Sequence, residues 1–226
     1  EIMSSDWSSD VCSSDLSRLG EDELGRKARE QIASLGVDTR FIQIDPDHPT
    51  GTVEVSFDAA GQPDYHIVPD VAYDFIDAQQ PLLETAGKVD CLCFGTLIQR
   101  SEVSRSSLQR VLAAAGGAVK LLDINLRKDC HTPGTIRDSL ERADVLKLND
   151  DEAGRLDEMF ALGAGELGDI AGALVDRFEL DCCVVTLGAE GAMAVRADGQ
   201  EAREEGFEVD VVDTVGSGDA FTAGFV

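Results

Sequence analysis

Four short, largely apolar runs between residues 89 and 187 constrain the fold of this chain more than any other feature of its sequence. None of them alternates between apolar and polar residues, which is typical of strands buried on both faces of a parallel sheet. Helical patterns separate the runs, and one of these begins at Ser101. We therefore predict an α/β fold with a doubly wound, mostly parallel sheet and helices on both faces. The runs cover residues 89–94, 119–124, 143–148 and 181–187.

A β-rich stretch ahead of these runs is predicted to form a separate small sheet at about residues 40–70. Residues 40–44, 52–57 and 65–68 are the predicted strands. Residues 58–61, with the sequence Asp-Ala-Ala-Gly, are the predicted hairpin turn between the last two strands. No helical pattern separates these strands, unlike those of the later runs.

The first 16 residues differ in character from the rest of the chain. Ser-Ser-Asp occurs there three times, and such a density of Ser and Asp favours neither helix nor strand. We interpret residues 1–16 as a non-native or disordered leader and residues 17–226 as one α/β domain. A helix is predicted near its start, over residues 21–35, and Gly36 ends it.

The balance of charges excludes several classes of partner. Lys and Arg number 19 against 44 Asp and Glu, which leaves a net charge of −25 at pH 7. A chain this acidic is expected to bind neither nucleic acid nor an anionic membrane surface. The sequence contains no apolar run long enough to cross a bilayer and no secretory signal, so we expect a cytoplasmic protein. A nucleotide site here would need Mg²⁺, a helix terminus or a few Arg and Lys side chains to be locally positive.

The six cysteines are predicted to be buried free thiols in a reducing compartment. Cys91 and Cys93 share one face of a predicted strand, whereas the neighbours Cys182 and Cys183 point to opposite faces of another. Neither pair has the spacing of a zinc site, and the set does not indicate a disulfide framework.

A glycine-rich turn near the end of the chain is the strongest functional feature. It follows a predicted strand over residues 207–212 and precedes a predicted helix from Ala220 onward. A strand, a glycine turn and a helix start in this order form an anion site, because free N–H groups and the helix dipole both favour negative charge. Asp219 beside that site either accepts a proton from an attacking hydroxyl or caps the helix. The residues alone leave both roles open.

The segment around this turn, Asp-Thr-Val-Gly-Ser-Gly-Asp-Ala-Phe, resembles the C-terminal signature of the PfkB, or ribokinase-like, family of sugar kinases. The resemblance implies that Gly216, Ser217 and Gly218 form the anion hole for the transferring phosphoryl group. It also implies that Asp219 is the catalytic base. Ser217 departs from the family pattern, in which alanine is usual, but it keeps a small side chain at that position.

Polar residues follow two of the apolar runs, at the edge of the sheet where open α/β folds bind ligands. Asp123, Asn125 and Arg127 resemble the family's D-x-N-x-R motif, which implies contacts with the sugar or its phosphate. Asn149 and Glu152 resemble its N-x-x-E motif, which implies that they position Mg²⁺ and phosphate through water. The residues alone leave two alternatives: Arg127 pairs with an acidic neighbour, and Asn149 and Glu152 only cap a helix.

Two further motifs extend the resemblance. The run T-L-G-A-E-G is similar to the family's nucleotide-binding turn, which implies that Thr186, Gly188 and Gly191 bind ATP. The run T-G-T is similar to the motif of the family's β lid, which covers the sugar and often forms the dimer contact. Thr50 and Gly51 are therefore candidate substrate residues, and a homodimer through the small sheet is expected. The alternative is a β excursion without substrate contact.

Four of these motifs, T-G-T, D-x-N-x-R, N-x-x-E and D-T-x-G-x-G-D, occur in family order, and the resemblance implies an ATP-dependent sugar kinase that phosphorylates a monosaccharide hydroxyl, with fructose as the first candidate. Asp213 matches the family position that helps to hold a monovalent cation, K⁺ being the candidate. The resemblance extends over residues 17–226 and lacks family segments at both ends, including an N-terminal sugar-binding strand, so we expect weak turnover. The alternatives are a ribose or nucleoside kinase of the same fold and a catalytically incomplete fragment.

Overall fold

The computed structural model describes most of the chain, namely residues 14–57, 63–210 and 216–225. The chain divides into two compact units, each with β-sheet of its own. The first unit contains two sheets of two strands, and the second contains one sheet of six strands. The units are, in order, Glu1–Leu82 with Ser101–Ser107, and Leu83–Arg100 with Leu108–Val226.

The first unit begins with a strand that leads into a capped helix. The Asp22 carboxylate accepts a hydrogen bond from the Gly25 N–H at 2.8 Å, which satisfies one of the free donors at the helix start. The helix ends at Ser34, with Leu35 as its C-cap, close to the predicted end. The elements are β1 (Ser17–Gly20), α1 (Glu23–Ser34), β2 (Ile42–Asp45), β3 (Val53–Phe57), β4 (Pro63–Ile67), a 3₁₀ turn (Ala72–Phe75) and α2 (Gln80–Ala86), which leads out of the unit.

The strands of the first unit pair differently from the prediction. β3 and β4 pair antiparallel, with Val55 opposite Tyr65, as a hairpin requires, and the predicted turn between them lies outside the described residues. β2 pairs in parallel with β1 instead of joining this hairpin, so the prediction of one three-stranded sheet is wrong. The β1 sequence, Ser-Arg-Leu-Gly, has a single large apolar side chain and no pattern that indicates a strand.

The second unit alternates strands and helices, and each of the four predicted apolar runs forms one strand. Its elements, with α3 beginning in the first unit, are β5 (Cys91–Phe94), a 3₁₀ turn (Leu97–Arg100), α3 (Glu102–Ala114), β6 (Val119–Asp123), α4 (Pro133–Leu140), β7 (Val145–Asn149), α5 (Asp150–Phe160), α6 (Leu167–Phe178), β8 (Cys182–Thr186), a second 3₁₀ turn (Gly188–Glu190), β9 (Ala192–Arg196), β10 (Glu201–Glu204) and α7 (Ser217–Phe225).

The strand order of the large sheet is β10-β9-β8-β7-β6-β5. Strands β5 to β8 are parallel, and β9 and β10 add antiparallel to one edge. The register places Asp123 opposite Lys147 and Asn149 opposite Thr186. The carboxyl ends of the parallel strands therefore meet at one edge, where α/β folds bind ligands. The predicted mostly parallel α/β fold is confirmed.

The two faces of the large sheet carry different residues. Strand residues directly opposite each other share a face, and successive residues alternate between faces. One face carries the hydrophobic core, in which Leu122 and Leu146 are fully buried beneath side chains of α3 to α6. The other face carries Asp123 and Lys147, and α7 packs there through Thr222. Helices thus lie on both faces, as predicted.

The strand predicted over residues 207–212 is not present in its described part. Residues 207–210 have no regular structure, and the rest of this predicted strand lies outside the described residues. Phe207 is 90% exposed and Val209 is 68% exposed, so neither side chain packs as a buried strand requires. The last strand at the antiparallel edge of the large sheet is β10. Its sequence, Glu-Ala-Arg-Glu, contains no β-branched or aromatic residue that would indicate a strand.

The five cysteines in the described part are free thiols, as predicted. Cys183 is buried and its neighbour Cys182 is half-buried, consistent with opposite faces of β8. Cys93 is exposed, so the prediction of burial is wrong there, because β5 is the edge strand of the sheet. Although the residue is exposed, partial desolvation of its sulfur, and then the nearby Asp123 carboxylate, raise the pKa of the Cys93 thiol to about 11, which keeps that thiol uncharged at neutral pH.

Candidate active site

Helix α7 carries the predicted glycine turn and acid at its start. Gly216 has a φ of 78°, in the left-handed region that favours glycine. Its carbonyl accepts the first helical hydrogen bond, from the Ala220 N–H at 2.8 Å, so Gly216 and not Asp219 occupies the cap position. Asp219 is the third residue of the helix and is exposed. The N–H groups of this first turn have no partner within the helix and are available to an anion.

A buried ion pair fastens α7 to the sheet. Asp123 and Lys147 are 9% and 7% exposed, and the Lys147 Nζ lies 3.0 and 3.1 Å from the two carboxylate oxygens of Asp123. The Thr222 hydroxyl donates a hydrogen bond to the Asp123 Oδ2 at 2.7 Å. Asp123, a predicted substrate residue, is therefore engaged by a cation and a hydroxyl. It joins the carboxyl edge of the sheet to the helix that carries the glycine turn.

Lys147 and Thr222 were not identified from the sequence. The Lys147 Nζ lies 3.1 Å from the position that a Cβ on Gly218 would take, so the ammonium group lies against the backbone of the turn. A lysine within the otherwise apolar strand β7 was the available signal, because a buried cation needs a buried anion nearby. Nothing in the sequence distinguishes Thr222 from a threonine on any other helix.

Asn149 and Glu152 form a reciprocal cap at the start of α5. The Glu152 N–H donates to the Asn149 Oδ1 at 2.8 Å, and the Asn149 N–H donates to the Glu152 Oε2 at 2.9 Å. Glu152 is 6% exposed, and its Oε1 accepts a hydrogen bond from the Leu126 N–H at 2.7 Å. The capping role that we considered as an alternative is thus present. Glu152 also joins the N-x-x-E segment to the D-x-N-x-R loop, a contact that the sequence did not predict.

Asn125 and Arg127 are both exposed on this loop. Asn125 has a φ of 38°, a backbone conformation that asparagine tolerates better than most residues. Within the described residues, the Arg127 side chain forms no hydrogen bond or ion pair, so the alternative pairing with an acidic neighbour is not found there. Its guanidinium group is available to an anionic or hydroxyl-bearing ligand.

Thr186, Gly188 and Gly191 lie at the end of β8, beside the end of β7. Thr186 stands opposite Asn149 in the register of the two strands, at the same edge as the glycine turn of α7. Gly191 has a φ of 99°, and a Cβ there would lie 2.0 Å from the Glu204 carbonyl oxygen. Packing of the turn against the chain after β10 therefore requires glycine at position 191 even without a ligand.

Thr50 and Gly51 lie in the first unit, just before β3. The Thr50 hydroxyl donates to the Asp22 Oδ1 at 2.7 Å and accepts a hydrogen bond from the Gly20 N–H at 2.9 Å. The Thr50 N–H also donates to the Asp22 carboxylate at 2.8 Å, and this bond is the main cause that lowers the pKa of Asp22. A Cβ on Gly51 would lie 2.1 Å from the Tyr73 ring. Both positions thus hold the base of the β3–β4 hairpin in place.

The remaining predicted site residue, Asp213, lies outside the described residues. Among the residues that the structure describes, no group of three or more His, Cys, Asp or Glu side chains is placed to hold a metal ion. Glu152 offers carboxylate oxygens, the ligand type that Mg²⁺ prefers, and a single carboxylate would suit an ion that keeps several of its waters. None of the described helices is both long and apolar enough to cross a membrane.

The chain matches a family model described as pfkB family carbohydrate kinase over residues 11–226. This match begins ahead of Ser17, where the sequence motifs begin. It takes in the described residues of both units and the C-terminal glycine turn.

Two curated relatives carry different substrate names. A fructokinase of Klebsiella pneumoniae is 31% identical over 220 residues, which cover 93% of this chain and 69% of the relative. An aminoimidazole riboside kinase of Salmonella typhimurium is 30% identical over 217 residues, which cover 92% of this chain and 65% of the relative. The chain thus spans between 65% and 69% of the length of these two proteins.

The fold is similar to that of solved sugar kinases. The structure of a fructokinase from Vibrio cholerae O395, in a fructose, ADP and calcium ion bound form, matches with a TM-score of 0.76 and 26% sequence identity. The match covers 94% of this chain and 68% of that one. The two chains therefore share the same α/β fold.

Proposed function

The chain belongs to the pfkB family of carbohydrate kinases, and we propose that it transfers the γ-phosphoryl group of ATP to a hydroxyl of a monosaccharide, with fructose as the first candidate. Membership in the family makes the reaction a phosphoryl transfer to an alcohol. The proposed acceptor rests on the fructokinase relatives, and an aminoimidazole riboside is the second candidate acceptor because a kinase of that name matches about as well.

The placement of Asp219 is the observation that carries this proposal. Its carboxylate is exposed at the third position of α7, directly after the glycine turn, and α7 is anchored at the carboxyl edge of the parallel strands. Asp219 would accept the proton of the sugar hydroxyl while the hydroxyl oxygen attacks the γ-phosphorus of ATP and ADP departs. The N–H groups around Gly216, Ser217 and Gly218 would stabilise the charge on the transferring group.

The nucleotide would lie along the carboxyl edge of the sheet. The turn that follows Thr186 and contains Gly188 and Gly191 supplies backbone close to the end of β8, and this edge also bears Asn149. Mg²⁺ supplies charge neutralisation of the phosphates when bound. Glu152 would hold it through water, since each of its carboxylate oxygens already accepts one backbone N–H bond and keeps a further acceptor position.

The sugar is proposed to contact Asn125 and Arg127, whose exposed side chains follow the end of β6. Asp123 would act on the sugar at most through its single remaining acceptor position, because three of its contacts are with Lys147 and Thr222. Contacts with Asn125 and Arg127 would favour an acceptor with several hydroxyl groups over water. The proposed lid would exclude water from the site.

The β3–β4 hairpin is the proposed lid and the proposed contact of a homodimer. Val53, Val55 and Tyr65 share one of its faces and are 53%, 50% and 58% exposed. An apolar face of this kind is costly to leave in water, which supports self-association. Thr50 and Gly51, which hold the base of the hairpin, would present their backbone to the sugar. A monovalent cation near Asp213, K⁺ being the candidate, completes the proposed set of ligands.

Initial rates with a panel of acceptors test the proposed activity. Fructose, ribose, aminoimidazole riboside and adenosine are each supplied with ATP and Mg²⁺, and both ADP release and the phosphorylated product are measured. We expect kcat/KM to be highest with fructose and the rate without an acceptor to be far lower. A preference for the aminoimidazole riboside would support the second candidate, and absence of a phosphorylated sugar with every acceptor would contradict the kinase proposal.

A further inference from the structure

We infer that Thr222 is a positioning residue that acts through the Asp123–Lys147 pair to hold the first turn of α7, and with it Asp219, in the geometry for phosphoryl transfer. The functional part of this inference rests on the proposed kinase activity. The structural part, that one hydroxyl anchors the helix, stands on the contacts alone.

Thr222 is the buried side chain of α7. The helix has nine residues, Ser217–Phe225, and Thr222 is its only buried residue among those whose burial the structure describes. Phe221 is half-buried and Phe225 is 46% exposed, and their rings stack on each other, so neither is as enclosed as Thr222. Helices in proteins are stabilised mainly by tertiary packing. The Thr222 hydroxyl is the buried polar contact of α7 with the sheet.

The Thr222 hydroxyl joins the helix to the sheet at one point. It donates to the Asp123 Oδ2 at 2.7 Å and also lies 3.0 Å from the Gly218 carbonyl oxygen, one turn earlier. A hydrogen bond to a charged carboxylate is stronger than one between neutral groups, so the single proton is directed to Asp123. Asp123 in turn is held by Lys147 at 3.0 and 3.1 Å. The three side chains form one connected chain from α7 to β7.

The same ammonium group lies against the glycine turn. The Lys147 Nζ is 3.1 Å from the position of a Cβ on Gly218, so a larger residue there would displace either the lysine or the helix. The pair thus sets how closely the first turn approaches the end of β7. Rate losses of about 100-fold accompany a misplacement of about 1 Å in a reacting group. Loss of the Thr222 hydroxyl is therefore expected to lower the rate without removing any group that touches the substrate.

The test compares Thr222→Val, which removes the hydroxyl and keeps the branched shape, with Thr222→Ser, which keeps the hydroxyl. Hydrogen exchange of the Ala220 and Phe221 amides reports the anchor directly, and the Leu156 amide on α5 serves as an internal reference. We expect exchange at the two α7 amides to rise at least tenfold in Thr222→Val, with the reference unchanged. Thr222→Ser is expected to stay within about threefold of the parent at all three amides. Equal acceleration at all amides, or none, would overturn the inference.

Steady-state kinetics with ATP and fructose add the functional readout. We expect Thr222→Val to lower kcat at least tenfold with the KM for ATP within about twofold, and Thr222→Ser to restore most of kcat. Accelerated exchange with an unchanged kcat would overturn the positioning role. Asp219→Asn, measured alongside, separates the two proposals. If it keeps the parent rate, the proposed catalytic base is wrong, whereas the exchange result at α7 still decides whether Thr222 anchors the helix.

Discussion

Replacement of Glu152 by glutamine is expected to destabilise the protein far more than a loss of one surface charge would. The Glu152 carboxylate is 6% exposed and accepts two backbone hydrogen bonds, from Leu126 at 2.7 Å and from Asn149 at 2.9 Å. Glutamine has the same shape but offers only one acceptor oxygen. Its amide nitrogen would face one of these two N–H groups, which would then be buried without an acceptor.

The expected size of the effect follows from those contacts. A hydrogen bond to a charged group contributes about 1.5–3 kcal/mol, and a buried donor without an acceptor costs about 1–3 kcal/mol. Since one of the two bonds survives, we expect Glu152→Gln to lower the free energy of unfolding by about 2–3 kcal/mol. With a urea dependence of about 3 kcal/mol per M, the unfolding midpoint would fall by about 0.7–1 M.

Urea unfolding measured by circular dichroism provides the assay, and Glu158→Gln provides the matched control. Glu158 lies on the same helix, is exposed, and loses the same charge. We expect the control to change the free energy of unfolding by less than about 0.5 kcal/mol. If Glu152→Gln were no more destabilising than Glu158→Gln, the reasoning that Glu152 ties two loops together through its carboxylate would be refuted.

Two further predictions concern pH and salt. Asp45 is 1% exposed, and its burial by itself raises the pKa of its carboxyl group. Hydrogen bonds from the Asp47 N–H and from His48, together with the Arg18 contact, outweigh burial and lower this pKa to about 2. The contacts of the ionised Asp45 carboxylate therefore stabilise the fold above about pH 4, by about 1–2 kcal/mol after allowance for the partly exposed partners. This stability is lost as pH falls toward 2. Asp45→Asn should therefore unfold in less urea than the parent at pH 5, with most of the difference lost by about pH 2; a constant difference would contradict the assignment. For salt, the net charge of −25 predicts a Tm that rises between about 0.05 M and about 0.5 M NaCl in thermal scans, and a falling Tm would contradict self-repulsion.

The fold of the second unit could be predicted because its strands are marked by composition. The runs that form β5 to β8 place apolar residues on both faces of each strand. Such residues are buried completely only where both faces of the sheet are covered. The two weakest strands, β1 and β10, have no such mark. They exist because a neighbouring strand offers hydrogen-bonding groups, as β2 does for β1 and β9 does for β10. Tertiary context of this kind is absent from local sequence.

The candidate site could be predicted in its motifs but not in its connections. The position of Asp219 after a glycine turn follows from local sequence, since turn and helix start are consecutive residues. The contacts of Thr222 with Asp123, and of Leu126 with Glu152, join residues that are 99 and 26 positions apart. Such pairings depend on strand register and helix packing. Lys147 was the exception, because a cation inside a buried strand indicates a partner without identifying it.

The most direct test of the account is the rate of phosphoryl transfer to fructose in Asp219→Asn, with Asp169→Asn as the matched control. Asp169 is also exposed and is also the third residue of its helix, α6, but the cap residue of that helix is Glu166 and not a glycine. The account predicts that Asp219→Asn loses at least about 100-fold in kcat while the Kd for ATP changes by less than about threefold, and that Asp169→Asn keeps the parent rate. An Asp219→Asn variant as active as the Asp169→Asn control would contradict it.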